Sequence, residues 1–259
     1  MSDGDRANAM ARWMWDARRR RLPYRNLPDE LRPASIAEAY AAQEAYYRLA
    51  EPVYGAVGGA KIATTTKVMQ RLMGIAHPCG GAIFARTIHA SPARLRTADF
   101  VNLRLESEIA LKLGADLPAS AAPWSRETVA PVVAAAMPAF ELIEDRHADY
   151  ARTEVVSLIV ENCWNGGVVV GTPKSVPVAA LAGMAGRLTI GGKNAGEGQA
   201  EDPCVTLAWL ANHLAERGRD LNAGMVVITG SLIPTVSIGT GERAVFRIEG
   251  LGEAVMEAV

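Results

Sequence analysis

Cysteine is scarce in this 259-residue chain: Cys79, Cys163 and Cys204 are odd in number and show no C-x-x-C spacing. That excludes a disulfide framework and a thiolate zinc site, and it suits a reducing compartment, so the expected location is the cytoplasm. Charge of one sign is missing too, with 27 Lys and Arg against 28 Asp and Glu. Neither nucleic acid nor an anionic membrane is therefore expected as the main partner. No uninterrupted apolar run approaches the ~18–20 residues that span a bilayer. The opening M-S-D-G-D-R-A-N-A-M carries acids and no apolar segment, so no secretory signal is expected. Repeats and low-complexity tracts are absent. What remains is a chain that is 49% hydrophobic, enough for one large core with at most a small appendage.

The stretch V-N-L-R-L-E-S-E-I-A-L-K-L, Val101 to Leu113, organises that core. Val101, Leu103, Leu105, Ile109, Leu111 and Leu113 alternate, with small Ser107 completing the row, which is the period of a strand with one buried face. Asn102, Arg104, Glu106, Glu108 and Lys112 then point the other way. Glu106 and Glu108 lie two apart, about 6–7 Å along the same side. Two carboxylates so placed repel unless something positive sits between them. That face is either open water or the seat of a cation.

Around this strand the chain reads as follows. Residues 7–21 are helical, with Met10, Trp13 and Met14 on one side and Arg18 to Arg21 as solvated cations favourable to the helix dipole. A second helix begins at a capping box, Ser35-Ile36-Ala37-Glu38, and runs to about Ala50. These two helices form an N-terminal cap over residues 1–56, before a body of residues 57–259. Lys61 stands in G-G-A-K-I-A, where small residues approach a short strand. His77-Pro78-Cys79-Gly80-Gly81 turns into another apolar strand. A helix is expected from Ser125 or Thr128 to Met137, and then a strand Ala139–Glu144, which brings Glu141 into apolar surroundings. Pairing that strand beside the first would gather Glu106, Glu108 and Glu141 in one pocket. Three converging, partly buried acids need a divalent cation, and oxygen-only ligation suits Mg²⁺ or its near substitute Mn²⁺. Further on, a helix is expected from Val155 to Trp164, a hairpin at Gly191-Gly192, and a helix opened by Asp202-Pro203. A strand from Met225 to Thr229 ends in Gly230-Ser231-Leu232, whose free N–H groups and hydroxyl suit an oxyanion or carboxylate.

Several of these motifs occur together in order: A-E-A-Y-A-A-Q, L-E-S-E-I-A, P-A-F-E-L-I-E-D-R, E-N-C-W-N-G-G-V-V-V-G, P-C-V-T-L-A-W-L-A-N-H-L and V-V-I-T-G-S-L. Across essentially the whole chain the sequence resembles the 2-keto-4-pentenoate hydratase and 2-oxo-acid decarboxylase branch of the fumarylacetoacetate hydrolase superfamily. The resemblance implies an α+β fold, a mixed β-sheet roll with an N-terminal helical cap. It implies Mg²⁺ or Mn²⁺ on Glu106, Glu108 and Glu141, an active-site lysine at Lys61, and a closing turn at Gly230-Ser231-Leu232 with Ser231 in a catalytic role.

The implied activity is hydration of a 2-hydroxy-2,4-dienoate or its 2-oxo-4-enoate tautomer, in catabolism of aromatic or related compounds. The cation would grip the substrate's carboxylate and 2-oxygen, while Lys61, its pKa lowered by burial or by the ion, would shuttle a proton. The same site could serve a decarboxylase, tautomerase or C–C lyase on a related 2-oxo acid, or belong to a weakly active partner subunit. A homo-oligomer is implied, as is association with a decarboxylase of the same pathway. Four positions depart from the family pattern. Cys79 replaces an aspartate in an E-P-D-F-G-type segment, Trp164 a serine in D-N-A-S, Ala60 the tryptophan of G-W-K, and Glu201-Asp202-Pro203 a G-H-P segment. Cys79 and Trp164 are expected to touch substrate, changing the acid–base chemistry and the pocket size respectively.

Overall fold

The computed structural model describes residues 2–259. Helices α1 (Asp3–Arg19) and α2 (Ile36–Tyr54) open the chain, followed by β1 (Val57–Ala63), α3 (Lys67–Leu72), β2 (Cys79–Phe84), β3 (Ile88–Ala90), β4 (Ala93–Leu95) and β5 (Leu103–Leu113). Next come α4 (Arg126–Val129), β6 (Val133–Glu144), α5 (Val155–Val160), β7 (Asn165–Val170), β8 (Ala185–Ile190) and β9 (Lys193–Gln199). The chain closes with α6 (Pro203–Ala215), β10 (Val226–Ser237), β11 (Arg243–Ile248) and β12 (Gly252–Ala258).

Two mixed sheets result, ordered β2-β1-β10-β5-β6-β7-β3 and β4-β12-β11-β8-β9. The alternating apolar row of β5 works as read: Leu105, Ile109 and Leu111 are buried in the main core, which also takes Phe140, Phe246 and the apolar stripe of α6. Burying one such side chain contributes about 1.5–3 kcal/mol, so this one face anchors the larger sheet. The opposite face of that sheet looks toward α1, α2 and α5, whose Met10, Met14, Tyr46 and Leu158 form a second core with Phe84 and Trp164. The fold is therefore the α+β roll with an N-terminal helical cap. No described helix is long and apolar enough to cross a membrane.

Several local expectations change. Ser35 Oγ accepts from the N–H of Glu38 at 3.1 Å, but Glu38 returns its carboxylate to the N–H of Ala34, so the box is shifted by one donor. The C-terminal part of the helix expected before Met137 is strand: α4 is one turn, and from Val133 the chain pairs with β5, Ala136 opposite Leu111. Alanine's helical preference yields there to the ladder and to β-branched Val132 and Val133. Gly230-Ser231-Leu232 does not end its strand. β10 continues to Ser237, with register shifts against β5 around Ser231 and a left-handed φ of 105° at Gly230. Arg18 is not a solvated cation: its guanidinium donates to the Asn165 carbonyl at 2.7 Å and lies 3.7 Å from Glu161. Finally, β9 runs hard against β10. A Cβ on Gly198 would lie 1.8 Å from the Leu232 carbonyl oxygen, so only glycine allows that approach.

Candidate active site

Register brings the acids together. Glu106 of β5 is the direct partner of Glu141 on β6, and Glu108 follows two residues along the same face. One oxygen from each lies within 4.8 Å of the others. Glu108 and Glu141 are fully buried and Glu106 half-buried. Each is held by a neutral donor: Thr235 Oγ1 donates to Glu106 at 2.6 Å, the Gly230 N–H to Glu108 at 2.7 Å, and Asn165 Nδ2 to Glu141 at 2.8 Å. Glu108 Oε1 and Glu141 Oε2 nevertheless have no hydrogen-bond partner among the described residues. Buried carboxylate oxygens without donors are costly, and two in one all-oxygen cluster are the donor set of a hard divalent cation. Burial, then the Glu141 and Glu106 charges, raise the Glu108 pKa well above the usual carboxylate range. Glu141 is pushed up to about 7, mainly by burial, with Lys61 opposing.

Lys61 lies on β1 between Gly81 of β2 and Ile228 of β10. A Cβ on Gly81 would come 3.1 Å from the lysine stem, which is why small residues surround it. Its Nζ donates to Glu141 Oε1 at 3.0 Å and to the Cys163 carbonyl at 3.3 Å. An ammonium has three N–H bonds, so one is left over on the cavity side. Burial is the largest single influence and favours the neutral amine, but the surrounding groups, Glu141 first and Glu106 among them, together outweigh it and raise the lysine pKa above its ordinary value. The expected lowering is thus reversed in the metal-free protein: one ammonium faces three acids.

The Cys163 carbonyl reaches Lys61 because the expected helix stops at Val160. Asn162, Cys163 and Trp164 take left-handed φ values of 56°, 49° and 59°. Such backbone costs roughly 1–3 kcal/mol per residue and persists only where its surroundings impose it. Here Asn162 bonds both the N–H and the carbonyl of Ala82, at 2.7 and 2.8 Å. Glu161, just before it, is clamped by both arms of buried Arg146 at 3.0 and 2.7 Å.

A cavity of about 530 Å³ opens over Lys61 and Glu106, and Gly230, Ser231, Leu232 and Trp164 contribute to its wall. Its far end is apolar, with Val68, Met69, Met73 and Leu158. Glu108 and Glu141, fully buried, are not part of its lining. Cys79 does not line it: the side chain is fully buried at the start of β2. Neither polar group of the Gly230-Ser231 pair is free for an oxyanion. The glycine N–H serves Glu108, while the serine hydroxyl donates to the Ile233 carbonyl at 2.7 Å and accepts from the Ser107 N–H at 3.1 Å. Residues missed in the sequence are Asn165, Thr235 and the Cys163 carbonyl. Only Cys163 and Asn165 stand in a motif, E-N-C-W-N, that could have pointed to them.

This frame, three acids and a buried lysine beside a cavity of the β-roll, has the donor set of a divalent-metal enzyme, and comparisons with known proteins give the family. The chain is 30% identical over 239 residues to "2-keto-4-pentenoate hydratase 2" of Dechloromonas aromatica, covering 89% of this chain and 88% of that one. It is 29% identical over 259 residues to "2-hydroxyhexa-2,4-dienoate hydratase" of Comamonas testosteroni, covering 97% of each. The fold matches that of 4-oxalocrotonate decarboxylase from Pseudomonas putida G7, solved with magnesium and adipate, at a TM-score of 0.90 and 20% identity over 98% of both chains. No family model matches. The chain belongs to the 2-keto-4-pentenoate hydratase family.

Proposed function

We propose that the protein is a divalent-metal-dependent hydratase that adds water to a 2-hydroxy-2,4-dienoate or its 2-oxo-4-enoate tautomer. The observation that carries this reading is the pair of unpartnered carboxylate oxygens, on Glu108 and Glu141, beside the buried Lys61 ammonium. Full-length similarity to two hydratases supports it. Glu106, Glu108 and Glu141 would hold Mg²⁺ or Mn²⁺, which when bound supplies positive charge against the anionic carboxylate and 2-oxygen of the substrate.

The chain's own groups do the rest. Lys61 Nζ holds a proton at the cavity floor and delivers it to the dienoate, then recovers one from the incoming water. Asn165 and Thr235 fix the orientation of Glu141 and Glu106, so the acids need not reorganise during turnover. Gly230-Ser231-Leu232 shape one wall of the substrate site, with Ser231 acting by holding the bulge. Trp164 and the apolar end exclude water from the substrate tail. Cys79, outside the cavity, touches no substrate in this reading. In the same reading the enzyme works in the cytoplasm as a homo-oligomer, consistent with three unpaired thiols and with Val68 and Leu72 left exposed on α3. Association with a decarboxylase of its pathway is tested by co-purification.

The deciding experiment mixes purified protein, Mg²⁺ and a 2-hydroxydienoate, follows loss of dienol absorbance, and identifies the product by mass. The 4-hydroxy-2-oxo acid is expected. Release of CO₂, or a tautomer without added water, would instead assign a decarboxylase or tautomerase to the same groups.

A further inference from the structure

The cavity over the lysine is larger than a five-carbon acid needs. Its volume is about 530 Å³, within the ~300–1,000 Å³ of pockets that enclose drug-sized molecules. The carboxylate and 2-oxygen of a substrate belong at the acid cluster, so the rest of the space receives the tail beyond the diene. Met69 of α3, Met73 just after it, Ile143 of β6, Leu158 of α5 and Trp164 line that space. All but half-buried Met69 are buried. The indole of Trp164 packs edge-to-face with both Tyr24 and Tyr150, at 5.2 and 4.9 Å between ring centroids, which fixes that wall.

Nothing in the wall answers a second charge. Among the described residues of the lining Lys61 is the only cation, and its Nζ already donates to Glu141 and to the Cys163 carbonyl. Arg104, two residues before Glu106 on β5, is outside the lining; it donates to the Thr235 carbonyl at 3.3 Å and lies 3.7 Å from Asp145. The hydroxyls are engaged as well. Tyr150 donates to Asp145 at 3.0 Å, Thr64 to the Ala63 carbonyl at 2.6 Å and Thr235 to Glu106 at 2.6 Å. Thr66 Oγ1 caps α3, accepting from the Met69 N–H at 3.2 Å. Thr65 stands beside Gly230, whose N–H serves Glu108, so its hydroxyl is at the acid end.

We propose that the site selects 2-hydroxydienoates with a single carboxylate and a hydrocarbon tail of several carbons, alkyl or aryl, and rejects dicarboxylates. The placement of the head group rests on the proposed hydratase reading; the preference for the tail comes from the cavity wall. Each methylene moved from water onto these side chains is worth ~0.8 kcal/mol, about a fourfold gain. A carboxylate at the tail's end would give up its water with no cation or free donor opposite it, which is heavily penalised. The two methionines adapt to irregular shapes, so a chain or a ring can be covered.

The test titrates the full-length, Mn²⁺-loaded protein calorimetrically with 2-oxopentanoate, 2-oxohexanoate, 2-oxooctanoate and 2-oxooctanedioate, and runs 2-hydroxydienoates with matching tails through the dienol assay. Affinity and kcat/KM should each rise about fourfold per added methylene, and each dicarboxylate should fall roughly 100-fold or more below its monocarboxylate counterpart. Met69→Arg places a cation on the wall and should narrow that gap about tenfold. Affinity that stays flat along the alkyl series, or a dicarboxylate bound within about tenfold of 2-oxooctanoate, would overturn the proposal whether or not any dienoate is hydrated. Tail-dependent binding with no hydrated product would overturn the hydratase reading and leave the tail preference standing. Failure of every 2-oxo acid to bind would overturn both.

Discussion

Replacing Glu108 with glutamine separates charge from shape at the acid cluster. The side chain is fully buried, and an amide oxygen can still accept from the Gly230 N–H. The three ligand oxygens are at most 4.8 Å apart, so each ionised pair repels by at least about 3.5 kcal/mol at an effective dielectric near 20. Removing one acid deletes two such repulsions. Burial and the neighbouring charges already shift Glu108 toward its protonated form in the wild type, which relieves part of this repulsion. Metal-free Glu108→Gln should therefore be no more than about 0.5 kcal/mol less stable than wild type. Ion affinity should move the other way. Partners outside the ligand shell are worth about 10–100-fold in affinity, so a lost charged ligand should cost more than ~100-fold. Calorimetric titration with Mn²⁺, paired with thermal melts, reads both quantities. A variant that binds Mn²⁺ like wild type, or one that melts far below it, would refute the cation-site reasoning.

Three further outcomes are expected. Lys61→Met should lower turnover by roughly 10²–10⁴-fold, the span of general acid–base contributions, while Mn²⁺ affinity holds or rises because no ammonium opposes the ion; steady-state kinetics beside calorimetry would expose retained activity. Mn²⁺ affinity should climb as pH rises through about 7, since Glu141 must lose its proton to ligate. A raised folded-state pKa also means that the metal-free fold loses stability from the ordinary carboxylate range up to about 7, so Mn²⁺ should raise Tm more near about pH 8 than near about pH 5.5; equal shifts would contradict this. Asn162→Ala removes two buried hydrogen bonds to Ala82 and should destabilise the chain by about 2–4 kcal/mol in denaturant titration. Unchanged stability would show that the left-handed turn is held by something else.

What could be read from residues alone was whatever follows a short period or a local signal. The two-residue alternation of β5 placed Glu106 and Glu108 on one face, and Asp202-Pro203 marked the start of α6. Glu141 joined them because a second strand was legible at Ala139 to Glu144. Beyond that, long-range partners decided the outcome. Val133 to Met137 read as helix because alanine favours helix locally, while the pairing with β5 that overrides it lies some twenty residues back. The turn at 162–164 depends on Ala82 and Arg146, and the lysine's retained charge on Glu141; no neighbour in sequence announces either.

The contact between Gly198 and the Leu232 carbonyl carries a consequence for how such a pocket can change. Gly198 belongs to the smaller sheet, opposite Gly186 and remote in sequence from every acid and from the lysine. Yet any side chain grown there must push the strand that bears Gly230 to Leu232, and that strand is one side of the cavity. The β8–β9 hairpin thus works as a set-screw on the substrate chamber. Substitutions in it would resize the chamber through a strand that also carries the Gly230 N–H bonded to Glu108, so pocket width and the acid cluster would shift together.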